Sequence, residues 1–406
     1  MSVYFDQTAA NAALKELYDG QVVENLVYQD NPLWAMLPKN TDFGGKYKPV
    51  PIQSGVSQGR SAVFANAQGN QSAGLISSFL LTRVADYSIA TIDNQTMLAM
   101  KGDKMAFLEG TKFVIDGAIR SLANSIAGAI FRTGTGSVGA VSTISTGVIL
   151  LTNPADIVQF EVNMVLQANA TDGGTPRAAL GYVTKVDRSA GALTVSATGL
   201  GGAAGTPTGW TVADFLLVQG DVNAKPKGLA AWLPTVAPTA GDNFFGVDRS
   251  ADTNRLAGIR YDGSSQSIEE CVIDATALLA REGGRPDKMI CGFASYSALE
   301  KALGAKVQYV DLKAGEVGFR GLTINGANSM LQVLPDRSCQ ALTGYLLKMD
   351  TWAVEGLGEV PQILRYGDGL EMLRVSNADA GEVRVGAYYQ VRTNAPGWNA
   401  NLKLSA

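Results

Sequence analysis

The clearest pattern along the chain is a run of helical periodicity between Asp103 and Arg132. Large apolar residues recur in it every three or four positions: Leu108, Ile115, Ile119, Leu122, Ile126 and Ile130. No proline interrupts the run, and this spacing lines one face of an α-helix. At ~1.5 Å per residue such a helix would extend ~45 Å. We predict a long helix, the spine helix, over residues 101–134.

The N-terminal segment carries a shorter helical stripe followed by an apolar hook. Apolar residues at helical spacing run from Thr8 to Tyr28, with a break near Gly20. The motif "DNPLWAMLP" then ends the helix and leaves Leu33 and Trp34 in the hook. We interpret residues 1–41 as an arm that packs on its own body or on a neighbouring molecule.

Residues 42–100 change to short alternating runs separated by Gly, Gln, Asn and Ser. The runs "GKYKPVPI" and "LISSFLLTRVADYSIATI" predict a two-stranded antiparallel ribbon with loose tips. A two-stranded ribbon is only marginally stable in water. We therefore expect this extended loop to lie on another surface.

Residues 143–222 form a separate all-β pattern. Short apolar runs are punctuated there by Gly, Pro, Asn and Asp, and "YVTKVDRSAGALTV" reads as a hairpin. Five or six such strands indicate a small barrel or sandwich inserted into the main fold. The flanking segments "TGTGSVG" and "NAKPKG" are interpreted as linkers, the first of them as a flexible exit from the spine helix.

After Gly228 helices and strands are mixed. A capping box at Ser267–Glu270 predicts a helix that continues through Arg281. The motif "DKMICGF" then predicts a buried strand, and residues 295–303 predict a second short helix. From Gly321 onward the pattern is mainly of strands, so the fold class is α+β.

Composition limits the environment in which the chain works. Apolar residues make up 46% of the 406 residues and charged residues only 17%, so we expect much of the surface to be covered in the working state. Runs such as "GVILL" are far shorter than the ~20 residues that span a bilayer, and the N-terminus lacks the pattern of a secretory signal. We predict no membrane segment and a cytoplasmic site of synthesis.

The residue types exclude most catalytic chemistry. The chain contains no histidine, which removes histidine bases and histidine-ligated metals. "GTGSVG" matches G-x-G-x-x-G but follows a helix rather than a strand. A calcium loop beginning at Asp262 would place Ile273 where a glutamate is required, and the three widely spaced cysteines fit reduced core thiols. We predict no cofactor, no metal site and no enzymatic activity.

One stretch, "FFGVDRSADTNRLAGIRYDG", concentrates acids and arginines. Mixed charges at this density fit oriented ion pairs between subunits, or a linker into the following helix; a solvated loop is the alternative. We nominate these residues and the apolar hook as candidate intersubunit contacts: Leu33, Trp34, Asp248, Arg249, Asp252, Arg255 and Arg260.

The order of these elements resembles that of the major capsid proteins of tailed bacteriophages, the Hong Kong 97-type fold. The resemblance covers nearly the whole chain outside the insert and rests on element order together with "FRTGTGSVGAV", "GGRPDKMICGFASYSALEKALG" and "APGWNANLKL". It implies an N-terminal arm, an extended β-loop, a spine helix, and peripheral and axial domains. Residues 228–341 would be mainly axial, and residues 342–406 would complete both domains.

The resemblance also implies a function and partners. The chain would be a shell subunit that assembles with itself, as hexamers and pentamers, around double-stranded DNA that it does not bind sequence-specifically. Its net charge of −4 argues against tight phosphate binding. The resemblance implies a separate scaffolding protein, a portal and a further decoration protein as partners, with assembly in the bacterial cytoplasm and a final location in the virion capsid.

Two other functions remain open at this level. A tail, decoration or surface-array protein would also accommodate the all-β insert and the glycine-rich loops. A glycan hydrolase would need convergent carboxylates, but Glu269 and Glu270 are consecutive and point about 100° apart on a helix. The sequence therefore favours a structural protein.

Overall fold

The computed structural model describes residues 31–95, 104–303, 309–310, 321–365 and 372–405. The helical stripe predicted at residues 8–28 lies outside these ranges, as do the first residues of the predicted spine helix. Within the described ranges the chain forms two mixed sheets, a closed barrel, a projecting two-stranded ribbon and a small hairpin.

The helices, in chain order, are α1 (Pro32–Met36), α2 (Phe64–Gly69), α3 (Lys104–Phe131), α4 (Leu229–Trp232), α5 (Ile268–Arg281) and α6 (Phe293–Leu303). The strands of the first half are β1 (Lys39–Asn40), β2 (Lys48–Gly55), β3 (Leu75–Leu81), β4 (Val84–Asp93), β5 (Ser137–Ser145), β6 (Val148–Leu151), β7 (Val165–Asn169), β8 (Gly181–Asp187), β9 (Ala192–Ser196) and β10 (Phe215–Val218). Those of the second half are β11 (Asn243–Phe244), β12 (Val247–Asp248), β13 (Ile259–Asp262), β14 (Lys288–Cys291), β15 (Tyr309–Val310), β16 (Gly321–Asn325), β17 (Met330–Pro335), β18 (Thr343–Leu347), β19 (Trp352–Gly356), β20 (Gln362–Ile363), β21 (Met372–Arg374), β22 (Ala380–Thr393) and β23 (Ala400–Lys403).

The first mixed sheet is organised around the long strand β22. The order β1-β19-β22-β20 is extended by β21 and β4, which both pair with β22. The spine helix α3 packs on β4 and β22, and its residues Leu122, Ile126 and Ile130 are buried. The periodicity that predicted this helix is thus the stripe that enters the core.

By length and composition alone, the stretch Val114–Phe131 of α3 could cross a membrane. The prediction of no membrane segment rested on shorter apolar runs and did not include this stretch. In the fold the stretch lies against the sheet and contributes buried residues to the main core, which is the arrangement of a core helix.

The second mixed sheet has the order β13-β23-β18-β14-β17-β16-β15. Helices α5 and α6 pack together, and α5 lies on β13 and β23. The capping box that begins α5 is present: Ser267 accepts from the Glu270 backbone N–H, and the Glu270 side chain accepts from the N–H of Ser267. The C-terminal strand β23 lies between β13 and β18, so residues distant in sequence complete this sheet.

The inserted unit is a closed six-stranded barrel of order β10-β5-β6-β9-β8-β7. Its interior is filled by apolar side chains that include Phe160, Leu166, Val183 and Leu193. The first strand begins at Ser137, before the predicted start at residue 143. Small residues open this strand, and Gly139 faces the Phe160 ring, so the strand shows little apolar alternation there.

The ribbon is shorter than predicted. Strands β2 and β3 pair along their length, and the two-turn helix α2 between them has no buried residue. The second predicted run breaks at Thr82–Arg83, and its remainder, β4, pairs with β22 instead. The apolar alternation is the same before and after the break, so periodicity could not show that β3 and β4 pair with different strands.

Candidate assembly surfaces

The tip of the ribbon is an exposed apolar surface. Large apolar side chains there expose between 55% and 82% of their surface: Val56, Val63, Phe64, Leu75 and Ile76. Five large exposed apolar side chains on one ribbon make it a candidate interaction site. No acid occurs between Asp42 and Asp86, so the surface combines apolar side chains with positive charge alone.

One side of the ribbon base is fixed by a buried carboxylate. Glu355 of β19 is fully buried, and its side chain accepts from Asn40 in β1, Lys48 in β2 and Arg392 in β22. Burial alone would raise the pKa of Glu355, but the three donors lower it below its ordinary value. One carboxylate therefore joins the end of the arm, the start of the ribbon and the first mixed sheet.

The other side of the base is an aromatic cluster that we call the hub: Phe79, Trp232, Phe244 and Phe245. Phe79 belongs to β3 of the ribbon, and its ring centre lies 5.0 Å from that of Trp232 in an edge-to-face arrangement. Phe244 stacks edge-on at 4.9 Å from Trp232. The indole N–H of Trp232 donates to the Val391 carbonyl at 3.1 Å.

Two cations cover the Phe244–Phe245 side of the hub. The guanidinium of Arg249 lies 3.9 Å from the Phe244 ring centre, and the Lys227 ammonium lies 4.6 Å from the centres of both Phe244 and Phe245. Arg249 is only 6% exposed and donates to Asp242 at 2.6 Å and to the Ala231 carbonyl at 2.7 Å. Burial, together with the charge of Arg249, lowers the pKa of Lys227.

The structure places two of the nominated contact residues in the interior of their own chain. Leu33 is 1% exposed, and its backbone N–H donates to the buried Asp336 carboxylate at 3.3 Å. Arg249 is buried beneath the hub, as described above. Both are internal packing residues in this chain, which corrects the expectation that they face a neighbour.

Trp34 is half-buried on α1, with the Lys39 ammonium 4.5 Å from its ring. Asp248 is exposed and caps a short 3-10 helix by accepting from the Ser250 N–H, and hydrogen bonds from the side chain and the backbone of Ser250 lower its pKa. Both leave surface available to a partner, so their role as contacts stays a prediction.

Asp252 and Arg255 follow the β11–β12 hairpin, and Arg260 lies in β13 of the second mixed sheet. Arg255 is exposed, lies 3.5 Å from Asp252, and donates to the Ser54 carbonyl of the ribbon at 3.1 Å. Arg260 donates to the Thr253 carbonyl at 2.8 Å, and burial, with the nearby charge of Arg249, lowers its pKa. These three residues also stay candidates for intersubunit contact.

The barrel is joined to the body by two linkers that pack against each other. The Asn223 N–H donates to the Thr135 carbonyl at 3.0 Å, and a methyl group on Gly228 would lie 2.0 Å from the Ile130 carbonyl oxygen. Such close backbone approach is available only to glycine. Both linkers are closely packed, although the first was predicted to be a flexible exit from the spine helix.

A cluster of charges closes the junction between barrel and body. The Lys225 ammonium lies 2.7 Å from Asp86 of β4 and 3.1 Å from Asp221, and it donates to Ser125 of the spine helix at 2.9 Å. Burial, with the nearby Asp86 charge, raises the pKa of Asp221, although Lys225 opposes the shift. A cleft of about 590 Å³ lies beside the cluster, between α3 and the barrel.

Within the described ranges, no group of three or more His, Cys, Asp or Glu side chains could hold a metal ion. Cys271, Cys291 and Cys339 are buried free thiols. Burial raises the pKa of Cys271 to about 11 and that of Cys291 to about 12, which keeps both thiols protonated and unreactive at neutral pH.

Comparison with known proteins bears on the fold. No family model matches the chain, and no curated protein sequence does. The capsid asymmetric unit of cyanophage A-1(L) superposes with a TM-score of 0.57 at 12% identity, covering 97% of this chain and 99% of that chain. This chain has the Hong Kong 97-type capsid fold. The predicted class, an α+β fold of this type with an inserted all-β barrel, is confirmed.

Two further structures match over most of the Hong Kong 97-type fold at lower similarity. The capsid of the native GTA particle gives a TM-score of 0.47 at 11% identity, covering 98% of this chain and 99% of that chain. The holo-SrpI encapsulin complex of Synechococcus elongatus PCC 7942 gives 0.46 at 9% identity, covering 99% and 96%. Both are too distant to add to the argument.

The residues at the ribbon base were missed by sequence reasoning. Glu355, Phe79, Trp232 and Lys227 come from four separate segments of the chain. Only the Phe244–Phe245 pair offered a signal, because two adjacent aromatics beside a charged run are seldom both exposed.

Proposed function

We propose that this chain is the structural subunit of an icosahedral capsid that encloses double-stranded phage DNA. The observation that carries the proposal is the exposed apolar ribbon, which projects from a Hong Kong 97-type fold and is anchored at its base on both sides. A single subunit leaves Phe64 and Ile76 in water at 82% and 73% exposure, and burial against further copies would recover that apolar surface.

The partners follow from this function. Copies of the chain form hexamers and pentamers, a separate scaffolding protein directs their curvature, and a portal and a decoration protein complete a virion built in the bacterial cytoplasm. The DNA is enclosed without sequence-specific binding, since 37 acids outnumber 33 bases. Trp34, Asp248, Asp252, Arg255 and Arg260 are the proposed polar and aromatic contacts between subunits.

The absence of catalysis is part of the same proposal. The chain has no histidine, and its cysteine thiols are buried. A subunit whose chemistry is confined to packing and ion pairs fits a shell protein rather than an enzyme.

The test is expression of the full chain with its genomic neighbours, followed by electron microscopy of the particles. Closed shells are the expected result; tubes or flat arrays would instead assign the chain to a tail or a surface array. A Phe64→Ser/Ile76→Ser double variant should remain folded and fail to assemble, because it removes apolar contact area at the ribbon tip.

Val236→Ser is the matched control, because Val236 is 74% exposed and lies in the segment that follows α4, outside the ribbon. It should assemble as the wild type does. Normal shells from the double variant, or loss of shells in the control, would contradict the assigned role of the ribbon.

A further inference from the structure

The hub is connected to the ribbon through the backbone as well as through Phe79. The Leu80 N–H donates to the Phe245 carbonyl at 2.8 Å, and Arg255 donates to the Ser54 carbonyl on the opposite strand. The β11–β12 hairpin, which carries Phe244 and Phe245, therefore contacts β3, and Arg255, which follows the hairpin in the chain, contacts β2.

A third connection runs through Gln390 of β22. Its amide nitrogen donates to the Thr82 carbonyl at 3.0 Å, where the ribbon returns to the body. Its oxygen accepts from the Lys227 backbone N–H at 2.9 Å. The backbone of Lys227 and the end of the ribbon thus share one buried side chain.

The position of the ribbon tip depends strongly on this base. Strand β3 has seven residues, and its four steps from Phe79 in the hub back to Leu75 extend roughly 13 Å at ~3.3 Å per residue. A rotation of about 10° at the base would move the end of β3 by roughly 2 Å, more than half of the ~3.5–4.0 Å that separates packed carbon atoms. Two subunits could not then bring their apolar surfaces into register.

Apolar packing alone does not fix such an angle, because it is not directional. Arg249 adds direction: its planar guanidinium lies over the Phe244 ring while two of its N–H groups bond Asp242 and the Ala231 carbonyl. Lys227 covers Phe244 and Phe245 from the linker that follows the barrel. The β11–β12 hairpin is thereby held against α4 and the barrel linker in one orientation.

We propose that Arg249 and Lys227 are positioning residues that clamp the β11–β12 hairpin and so set the angle of the ribbon for capsid assembly. The inference rests on the proposed function. It assigns to the charged stretch around Arg249 a role within the subunit, where the sequence had indicated a contact between subunits.

The experiment compares Arg249→Met, which keeps the bulk but removes the directed bonds, with Arg249→Lys and with Leu299→Ala. Leu299 is buried in the core of the second mixed sheet, so its truncation destabilises the subunit without touching the hub. Hydrogen exchange of isolated subunits is followed at the Leu80 amide, which bonds the hub directly, and at Val333 in the second mixed sheet.

We expect Arg249→Met to accelerate exchange at Leu80 by on the order of ten-fold while Val333 is unchanged, and to abolish closed shells. Arg249→Lys, which keeps a cation over Phe244, should be intermediate. Leu299→Ala should accelerate exchange at Val333 and still form shells. Should Arg249→Met fail to fold, Lys227→Met provides the same comparison.

Unchanged exchange at Leu80 in Arg249→Met, or normal shells from that variant, would overturn the proposal. So would equal loss of shells in Leu299→Ala. If the wild-type chain itself forms no shells, the proposed function fails, while exchange at Leu80 still decides whether the clamp exists.

Discussion

The packing of the two barrel linkers can be tested with a pair of glycine substitutions. Gly136 and Gly220 both adopt left-handed backbone conformations, with φ of +88° and +89°. A methyl group added at Gly136 would lie 2.3 Å from the Asp221 carbonyl oxygen and 2.8 Å from its carbonyl carbon. The same group at Gly220 would have no heavy atom within 4 Å.

Both alanine substitutions therefore place a side chain in a left-handed backbone conformation, but only Gly136→Ala also creates a steric clash. Alanine in a left-handed conformation costs about 1–2 kcal/mol, partly offset by about 0.4–1 kcal/mol from the reduced entropy of the unfolded chain. Gly220→Ala should then destabilise the protein by about 1 kcal/mol. Gly136→Ala adds an overpacking cost of about 1–3 kcal/mol, because the linkers must separate, and should total about 2–4 kcal/mol.

The assay is urea unfolding of the full chain, followed by tryptophan fluorescence and far-ultraviolet circular dichroism. Because a chain with several cores need not unfold in one step, each transition is fitted separately. Neither substitution changes charge, so the difference between the two variants isolates the contact between linkers. If Gly136→Ala and Gly220→Ala lowered the free energy of unfolding equally, within the about 0.5 kcal/mol that is usual for surface substitutions, the close packing of the linkers would be refuted.

Two further outcomes are expected from buried carboxylates. Arg177→Met should lower the melting temperature at pH 7, and the difference in melting temperature from wild type should narrow below about pH 4. Burial alone would raise the pKa of Asp214, but hydrogen bonds including those from Arg177 lower it. A carboxyl whose pKa is lowered in the folded state stabilises the fold above its unfolded pKa and loses that contribution as the pH falls. A gap that is independent of pH would count against this. Asp336→Ala should lower the free energy of unfolding in urea by about 2–3 kcal/mol, because it leaves the N–H groups of Leu33 and Ser338 without their acceptor. Asp336→Asn should lower it by less. Equal losses in the two variants would show that these hydrogen bonds contribute little.

Elements encoded by local periodicity were predictable. The capping box before Ile268–Arg281, the hairpin of β8 and β9, and the spine helix each follow from residues within one segment. In these segments the local pattern and the tertiary environment agree, because the apolar stripe is also the face that enters the core.

The pairing of strands that are distant in sequence was not predictable. The apolar alternation continues through Thr82 and Arg83, yet β3 pairs within the ribbon and β4 pairs with β22. The chain changes partner where Gln390 binds the Thr82 carbonyl and Arg83 donates to the Phe43 carbonyl. Both bonds join residues far apart in sequence, so no periodic pattern marks the change.

The charged stretch around Arg249 shows why charge density is an ambiguous signal. Dense acids and arginines indicate a surface when each charge is solvated, but a guanidinium is weakly hydrated and can be buried over an aromatic ring when its N–H groups find acceptors. Phe244 supplies the ring, and Asp242 and the Ala231 carbonyl supply the acceptors. Exposed Asp248 and Arg255 retain the surface role, so one run of charges serves the interior at Arg249 and faces solvent at its neighbours. The ribbon, by contrast, carries no acid between Asp42 and Asp86, so the exposed apolar side chains and the dense acids lie on separate segments of the chain.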